Sequence, residues 1–376
     1  MENESSLKTY IKLVLAFIVH ILTRVFCLVP IDRKKIVFEA YMGKQFSCNP
    51  KYLCEYISSI NDSYRLLWVY SGNKLNCQYQ QIKRNSFKYF YHVLSAGTIV
   101  HNSGLNKLLK FRKEQIVINT WHGGGAYKKM SRAITNTYNR KNDYFISSSR
   151  LASKYVIRDS QNFQGKILEF GMPRNDMLIN EDEKKALIIK EKLKIGNKRT
   201  VLYAPTFRND ASKVDFKLDY LGLVNCLHKK FGGEWIILHR SHYHMKGDSS
   251  NNPEYVIDVT QYPDMQELLL IADVLITDYS SAIWDFSFLS RPIFLYATDL
   301  EEYDKERSFF VDIHKWGFPI CENNEELQRA IEQFEQKKMM QQIEIHQNLM
   351  GSYETGEASK KLFEFIENAH NSGTIN

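Results

Sequence analysis

Short apolar runs and helical patterns alternate along most of the chain. Runs at 35–39, 65–70, 98–101, 115–119, 143–147 and 167–170 predict strands, with helices predicted at 50–60, 87–95 and 151–158 between them. The alternation then restarts. Runs at 200–204, 235–239, 255–259, 274–277 and 293–296 read as strands, and 219–231, 265–272, 282–289 and 325–334 read as helices. Repeated units of this kind predict an α/β fold, with parallel sheets and crossover helices. A charged helical segment at 181–194, followed by the polar break Ile195-Gly196-Asn197-Lys198-Arg199, divides the two sets. The pattern therefore predicts two Rossmann-like units: 31–180, and 200–376 with closing C-terminal helices, joined by a linker at 181–199. Ligands of such sheets bind beyond the carboxyl ends of the strands, and two facing units place those ends across a cleft.

Residues 1–30 follow a different rule. The segment 7–29 is mostly apolar, but Lys8, Lys12, His20 and Arg24 interrupt it. At about 100° per residue these four, with Thr9 and Thr23, fall within one arc of about 160°. A spanning helix wants about 20 residues with few charges. Phe26-Cys27-Leu28-Val29-Pro30 is a poor cleavage site for a signal peptide. The pattern suits an amphipathic helix lying in the membrane interface, its basic side toward anionic headgroups. The alternatives are a helix packed on the body of the protein and a true span.

Composition narrows the class. Apolar residues make up 44% and charged residues 25% of the 376 positions, which excludes a disordered or fibrous chain. The six cysteines are scattered, with no C-x-x-C pair, so the expectation is a reducing, cytoplasmic setting without a disulfide scaffold or zinc ribbon. The net charge of +7 favours anionic partners such as nucleotides, phosphorylated substrates or acidic lipid. The basic residues form no long stripe interleaved with aromatics, so nucleic acid is not an expected partner.

The candidate chemistry sits where strands end. The run 116–119 leads into Thr120-Trp121-His122-Gly123-Gly124-Gly125-Ala126-Tyr127-Lys128-Lys129. A histidine there can exchange a proton near neutral pH. Glycines let backbone N–H groups approach an anion, although an ordinary tight turn with a packed histidine would look similar. The P-loop pattern is absent. The run 201–204 ends in Pro205-Thr206-Phe207-Arg208, where an arginine suits a phosphate clamp or is simply exposed. The run 235–238 ends in His239-Arg240-Ser241-His242-Tyr243-His244. Its histidine spacing hints at metal, but no carboxylate or cysteine stands nearby, so phosphate contact is the better reading and no metal is expected. The run 274–277 ends in Asp278-Tyr279-Ser280-Ser281, which reads equally as a helix N-cap or a diphosphate seat.

Taken in order, Trp121-His122-Gly123 with Lys128-Lys129, then Tyr203-Ala204-Pro205-Thr206-Phe207-Arg208, Arg240-Ser241-His242-Tyr243, Thr277-Asp278-Tyr279-Ser280-Ser281, Asp285-Phe286 and Arg291-Pro292 resemble the CDP-glycerol glycerophosphotransferase family of teichoic-acid polymerases and primases. The resemblance runs from about residue 34 to the end. It implies a GT-B architecture, metal-free chemistry without a cofactor, and peripheral attachment to the cytoplasmic face of the membrane. It implies His122 as general base, His242 as a second catalytic histidine, and Arg208, Arg240, Asp278, Ser280 and Ser281 as donor-binding residues. Gly123, Gly124, Lys128 and Lys129 become phosphate or acceptor contacts. Many members read Trp-His-Gly-Thr-Pro where this chain reads Trp-His-Gly-Gly-Gly-Ala-Tyr, one residue longer. The expected reaction moves glycerol phosphate from CDP-glycerol to a hydroxyl of a lipid-linked glycan or polyol-phosphate acceptor, releasing CMP, for a teichoic acid or capsule. CDP-ribitol as donor and an ordinary sugar-nucleotide GT-B glycosyltransferase are the alternatives. A non-catalytic glycan-binding protein is a third, which the intact histidines argue against.

Overall fold

The computed structural model describes residues 21, 24–26, 28–129, 143–206, 218–241 and 253–371. The first unit holds strands β1 (Asp32–Glu39), β2 (Arg65–Tyr70), β3 (Gln80–Lys83), β4 (Ala96–His101), β5 (Ile116–Asn119), β6 (Asp143–Ile146) and β7 (Lys166–Leu168) in one sheet of order β3-β2-β1-β4-β5-β6-β7. The second holds β8 (Arg199–Ala204), β9 (Trp235–His239), β10 (Val256–Asp258), β11 (Val274–Thr277), β12 (Ile293–Tyr296) and β13 (Ile320–Cys321), ordered β10-β9-β8-β11-β12-β13. Neighbouring strands pair in parallel throughout both sheets. Helices cover both faces, which explains the unbroken apolar runs: Ile36, Val37 and Phe38 of β1 and Val274, Leu275 and Ile276 of β11 are all buried.

Two strands escaped the sequence reading. β3 is Gln-Gln-Ile-Lys at a sheet edge, with only Ile82 buried, and β13 has two residues. Neither is long enough to show a period. The strand order reverses between β1 and β4 in the first sheet and between β8 and β11 in the second. A crevice opens at such switch points, and the segments 40–48, 102–104, 205–206 and 278–281 leave the strands there.

The C-terminal helix departs from its assignment to the second unit. Ala358–Asn371 packs on the first sheet, where Leu362, Phe363 and Ile366 join Ile36, Phe38 and Trp68 in one core. Arg33 Nη1 donates to the His370 carbonyl at 2.7 Å, and Thr98 Oγ1 lies 2.9 Å from His370 Nε2. Amphipathicity alone cannot say which sheet a helix covers. The predicted linker at 181–199 is itself structured. The helix Glu183–Lys192, capped by Asp182 on the Lys185 N–H, buries Ile189 in the core of the second unit.

The units are tied by buried polar contacts. Lys51, on the helix Cys48–Ile60, lies 2.7 Å from both Asp264 and Glu267, which flank and begin the helix Met265–Ile271. Tyr52 Oη adds a donor to Asp264 at 3.0 Å. Burial disfavours the Lys51 charge, but the two carboxylates outweigh it and hold its pKa above the ordinary lysine value. Breaking such a pair from one side strands the other charge. Lys51→Met should destabilise the protein by about 3–5 kcal/mol in urea unfolding; an unfolding curve matching wild type would show the contact to be unimportant.

Candidate active site

A cavity of about 310 Å³ lies between the two switch points. The first unit contributes Tyr41, Gln45, Ser47, Cys48, His122 and Arg174; the second contributes Arg240, Ser241, Ser280, Ser281 and Asp285 among others. Four strand-end segments named from the sequence thus converge, although residues 207–217 and 242–252 lie outside the described residues. Arg208 and His242 fall in those stretches.

His122 follows β5. The Asn119 carboxamide oxygen accepts the Trp121 N–H at 2.9 Å, and Trp121 takes a left-handed φ of 51°, which turns the chain toward the cleft. His122 Nδ1 lies 3.0 Å from the Asn102 carbonyl oxygen. A carbonyl only accepts, so Nδ1 carries the proton and Nε2 keeps its lone pair. Desolvation by the surrounding cleft walls holds the imidazole pKa below its ordinary value, although the residue is open to solvent; the Asn102 carbonyl opposes this, and the Arg174 charge reinforces it. The ring is therefore a neutral base at pH 7.

Arg174 was missed in the sequence. Pro173 begins the helix Pro173–Ile179 and sets Arg174 in its first turn. Its Nη2 reaches both carboxylate oxygens of Asp285, at 3.0 and 2.7 Å, and its Nη1 donates to the His122 carbonyl at 2.8 Å. Gln266 Nε2 adds a donor to Asp285 at 3.1 Å. Burial opposes the guanidinium charge, but Asp285 overcomes it and raises the pKa. The available signal was a charged residue at a helix start just after β7, the same strand-end logic that found the other candidates.

On the opposite wall Arg240 leaves β9. Its Nη1 donates to the Tyr262 carbonyl at 2.7 Å, and it enters no ion pair with the described residues. Burial lowers its pKa. Ser280 Oγ accepts the Ala282 N–H at 3.2 Å, just ahead of the helix Ala282–Ser287, whose N-cap position is Ser281. Ser281 makes no side-chain cap bond, and its hydroxyl lies against Gly123, where an added Cβ would sit 3.4 Å away. His239, the first histidine of the triple-histidine run, lies 2.9 Å from each of the Tyr220 and Ser241 hydroxyls.

Several candidates hold other positions. Asp278 is buried outside the cavity lining, and its carboxylate accepts the Thr206 N–H at 2.9 and 3.0 Å and the Tyr279 N–H at 2.6 Å. It braces the ends of β8 and β11. Lys128 forms an antiparallel bridge with Phe309, and the Lys129 N–H donates to the Ser308 carbonyl at 3.1 Å. This stretch joins the two units and does not line the cavity. Gly124 is explained by packing, since an added Cβ would lie 2.0 Å from Trp284 Cδ1. The Gly125 N–H is taken by Ser148 Oγ at 3.1 Å. The absent side chain at 124 lets the units close. Gly124→Ala should cost about 1–3 kcal/mol through overpacking, read as a lower Tm; an unchanged Tm would mean that the Trp284 ring yields freely.

The sequence profile described as CDP-Glycerol:Poly(glycerophosphate) glycerophosphotransferase matches residues 21–368. The chain is 32% identical to the teichoic acid poly(glycerol phosphate) polymerase of Bacillus spizizenii W23, covering 92% of this chain and 94% of that protein. It is 30% identical to the polymerase of the same description from Staphylococcus epidermidis, covering 89% of this chain but only 50% of that longer protein. The solved structure of the wall teichoic acid polymerase TagF superposes with a TM-score of 0.81 at 28% identity, covering 99% of this chain and 98% of that one. Agreement in sequence across both units, and in the fold that carries the cleft, means that this chain belongs to the CDP-glycerol:poly(glycerophosphate) glycerophosphotransferase family.

Proposed function

We propose that this protein transfers glycerol phosphate from CDP-glycerol to a hydroxyl of a lipid-linked glycan or polyol-phosphate acceptor, releasing CMP, in teichoic-acid-type polymer synthesis. The observation that carries the proposal is His122, a neutral imidazole with Nε2 unprotonated, facing Arg240 and Ser281 across one cavity. The two facing sheets make the architecture GT-B-like. The acceptor hydroxyl gives its proton to His122 Nε2, and its oxygen attacks the phosphorus that bears the glycerol. The bond to the CMP oxygen breaks, and CMP leaves with that electron pair. Such a reaction needs positioning and charge neutralisation more than covalent help from the protein. Arg240 and the Ser280 and Ser281 hydroxyls supply it on the donor side. The family resemblance gives Arg208 and His242 the further donor and catalytic roles. The names of the two polymerases favour glycerol over ribitol in the donor.

His122→Ala should lower kcat by about 10²–10⁴-fold while CDP-glycerol affinity is retained. Because its pKa lies below the ordinary 6.5, His122 stays deprotonated into mildly acidic solution, so the acid limb of kcat/KM should fall below that pH. Full turnover by the variant, or an acid limb well above 6.5, would remove His122 as the base. Release of a nucleoside diphosphate in place of CMP would mark a sugar transferase instead.

Peripheral attachment to the cytoplasmic face of the membrane is part of the same proposal. No described helix is long and apolar enough to cross a membrane. At the end of the N-terminal segment Ile21, Val25 and Leu28 are exposed, and Phe26 packs on Phe87 with ring centroids 4.9 Å apart. Phe87 and Tyr91, one turn apart on the helix Phe87–Leu94, extend this apolar surface beside Lys88. Each lysine or arginine near an anionic surface adds about 1 kcal/mol, weakened by salt, whereas the apolar contribution is not screened. Full-length protein should float with anionic vesicles and loosen, without detaching, in high salt. A version beginning at Pro30 should float less; equal flotation would rule out the N-terminal segment as the anchor.

A further inference from the structure

The two walls of the cavity differ in how their cations are paired, and that difference divides the substrates between them. On the second-unit wall the two carboxylates, Asp264 and Asp285, are already engaged by Lys51 and Arg174, whereas Arg240, beside the Ser280 and Ser281 hydroxyls, is a cation in no ion pair with the described residues. Among the described residues of the first-unit wall the one formal charge is Arg174, whose terminal nitrogens already serve Asp285, the His122 carbonyl and, at 3.6 Å, Cys48 Sγ. A diphosphate is drawn to the cation that no ion pair holds. The first wall is left for an uncharged, hydroxyl-bearing group.

We propose that Tyr41, Gln45 and Ser47 form the subsite that reads the terminal diol of the acceptor. The inference rests on the glycerophosphotransfer reading above and names where the acceptor end is held. Ser47 is buried, and its hydroxyl donates to Gln45 Oε1 at 3.0 Å. The Ser47 oxygen keeps its acceptor capacity and the Gln45 amide keeps its donors. A glycerol joined to phosphate through one end carbon carries two adjacent hydroxyls. The primary one lies at His122 Nε2 for attack, and the secondary one donates to Ser47 and accepts from Gln45. The Tyr41 ring, 5.8 Å from the His122 ring, gives the carbon chain an apolar face.

The backbone supports a built site. Tyr41, Met42, Cys48 and Trp121 all take left-handed φ values, of 47°, 57°, 63° and 51°. Residues with side chains hold that conformation only where the surroundings enforce it. Here Asn102 does so: its Oδ1 accepts the Tyr41 N–H at 2.8 Å, while its carbonyl accepts from His122 Nδ1 at 3.0 Å. One residue therefore sets the spacing between the hydroxyl-reading wall and the base.

The test uses full-length protein, CDP-glycerol, and a short glycerol phosphate oligomer ending in free glycerol. A second oligomer lacks the terminal secondary hydroxyl. Gln45→Ala and Ser47→Ala should each raise the acceptor KM by about 2–10-fold, the effect of one neutral hydrogen bond. The CDP-glycerol Kd by calorimetry should not change. Ser47 makes no side-chain cap bond, so its loss spares the following helix. Wild type should prefer the complete oligomer, and the double variant should lose that preference. An unchanged acceptor KM with intact CDP-glycerol binding would overturn the subsite alone, as would variants that weaken the donor instead. Failure of wild type to bind CDP-glycerol would overturn the proposed function and the subsite with it.

Discussion

Arg174 and Asp285 meet in the buried interface between the two units, joined by two hydrogen bonds of 2.7 and 3.0 Å, and the cleft is organised around them. An ionised guanidinium in such a place is tolerated only because a carboxylate from the other unit compensates it and because its remaining donors find acceptors. One of those acceptors is the His122 carbonyl. The contact that holds the sheets together therefore also fixes the loop that presents His122, the proposed base. Separation of the units would strand two charges and release His122 together, so closure and the placement of His122 are physically one state.

Around this pair the strand order does the placing. Both sheets reverse direction beside their central strands, and the segments leaving those strands meet in the cleft. His122, Arg240 and Ser281 lie within a few residues of a strand's carboxyl end, where the rigid sheet limits their movement. Small groups complete the fit. Gly124 leaves room for Trp284, while the Trp284 Nε1 donates to Glu354 at 3.2 Å, a carboxylate that also accepts the Met172 N–H at 2.9 Å. Packing and hydrogen bonding therefore run continuously from the glycine turn to the helix start that carries Arg174.

Compensated and uncompensated charge sort the cavity. Lys51 and Arg174 are both buried, yet each is matched by carboxylates of the opposite unit and serves the interface. Arg240 has no such match among the described residues and is available to an anion. The overall charge of +7 says that anions are welcome somewhere. Among the described cations that line the cavity, the pairing shows that Arg240 is free to take one.

The strands were legible because parallel sheets covered on both faces demand apolar residues at every position, and that demand is local. The residues after them were legible too: a histidine, an arginine and two serines at strand ends are conspicuous against apolar runs. Arg174 carries only a faint mark, a charge at a helix start after a strand, and Tyr41, Gln45 and Ser47 carry none. They join the site only when residues 41–48, 122, 174 and 285 meet, and contacts of that span leave no periodic trace. The same distance explains Asp278, Lys128, Lys129 and Gly124, whose residue types suited ligand contact but whose neighbours made them braces and spacers. It explains the last helix as well, since an amphipathic face states that a sheet is covered and not which one. What the chain determined alone was its alternation of elements and the chemistry at strand ends, because both depend on near neighbours. The tertiary structure decided which charges are spent, which residues share the cavity and where the chain's end returns, because those depend on partners far away along the chain.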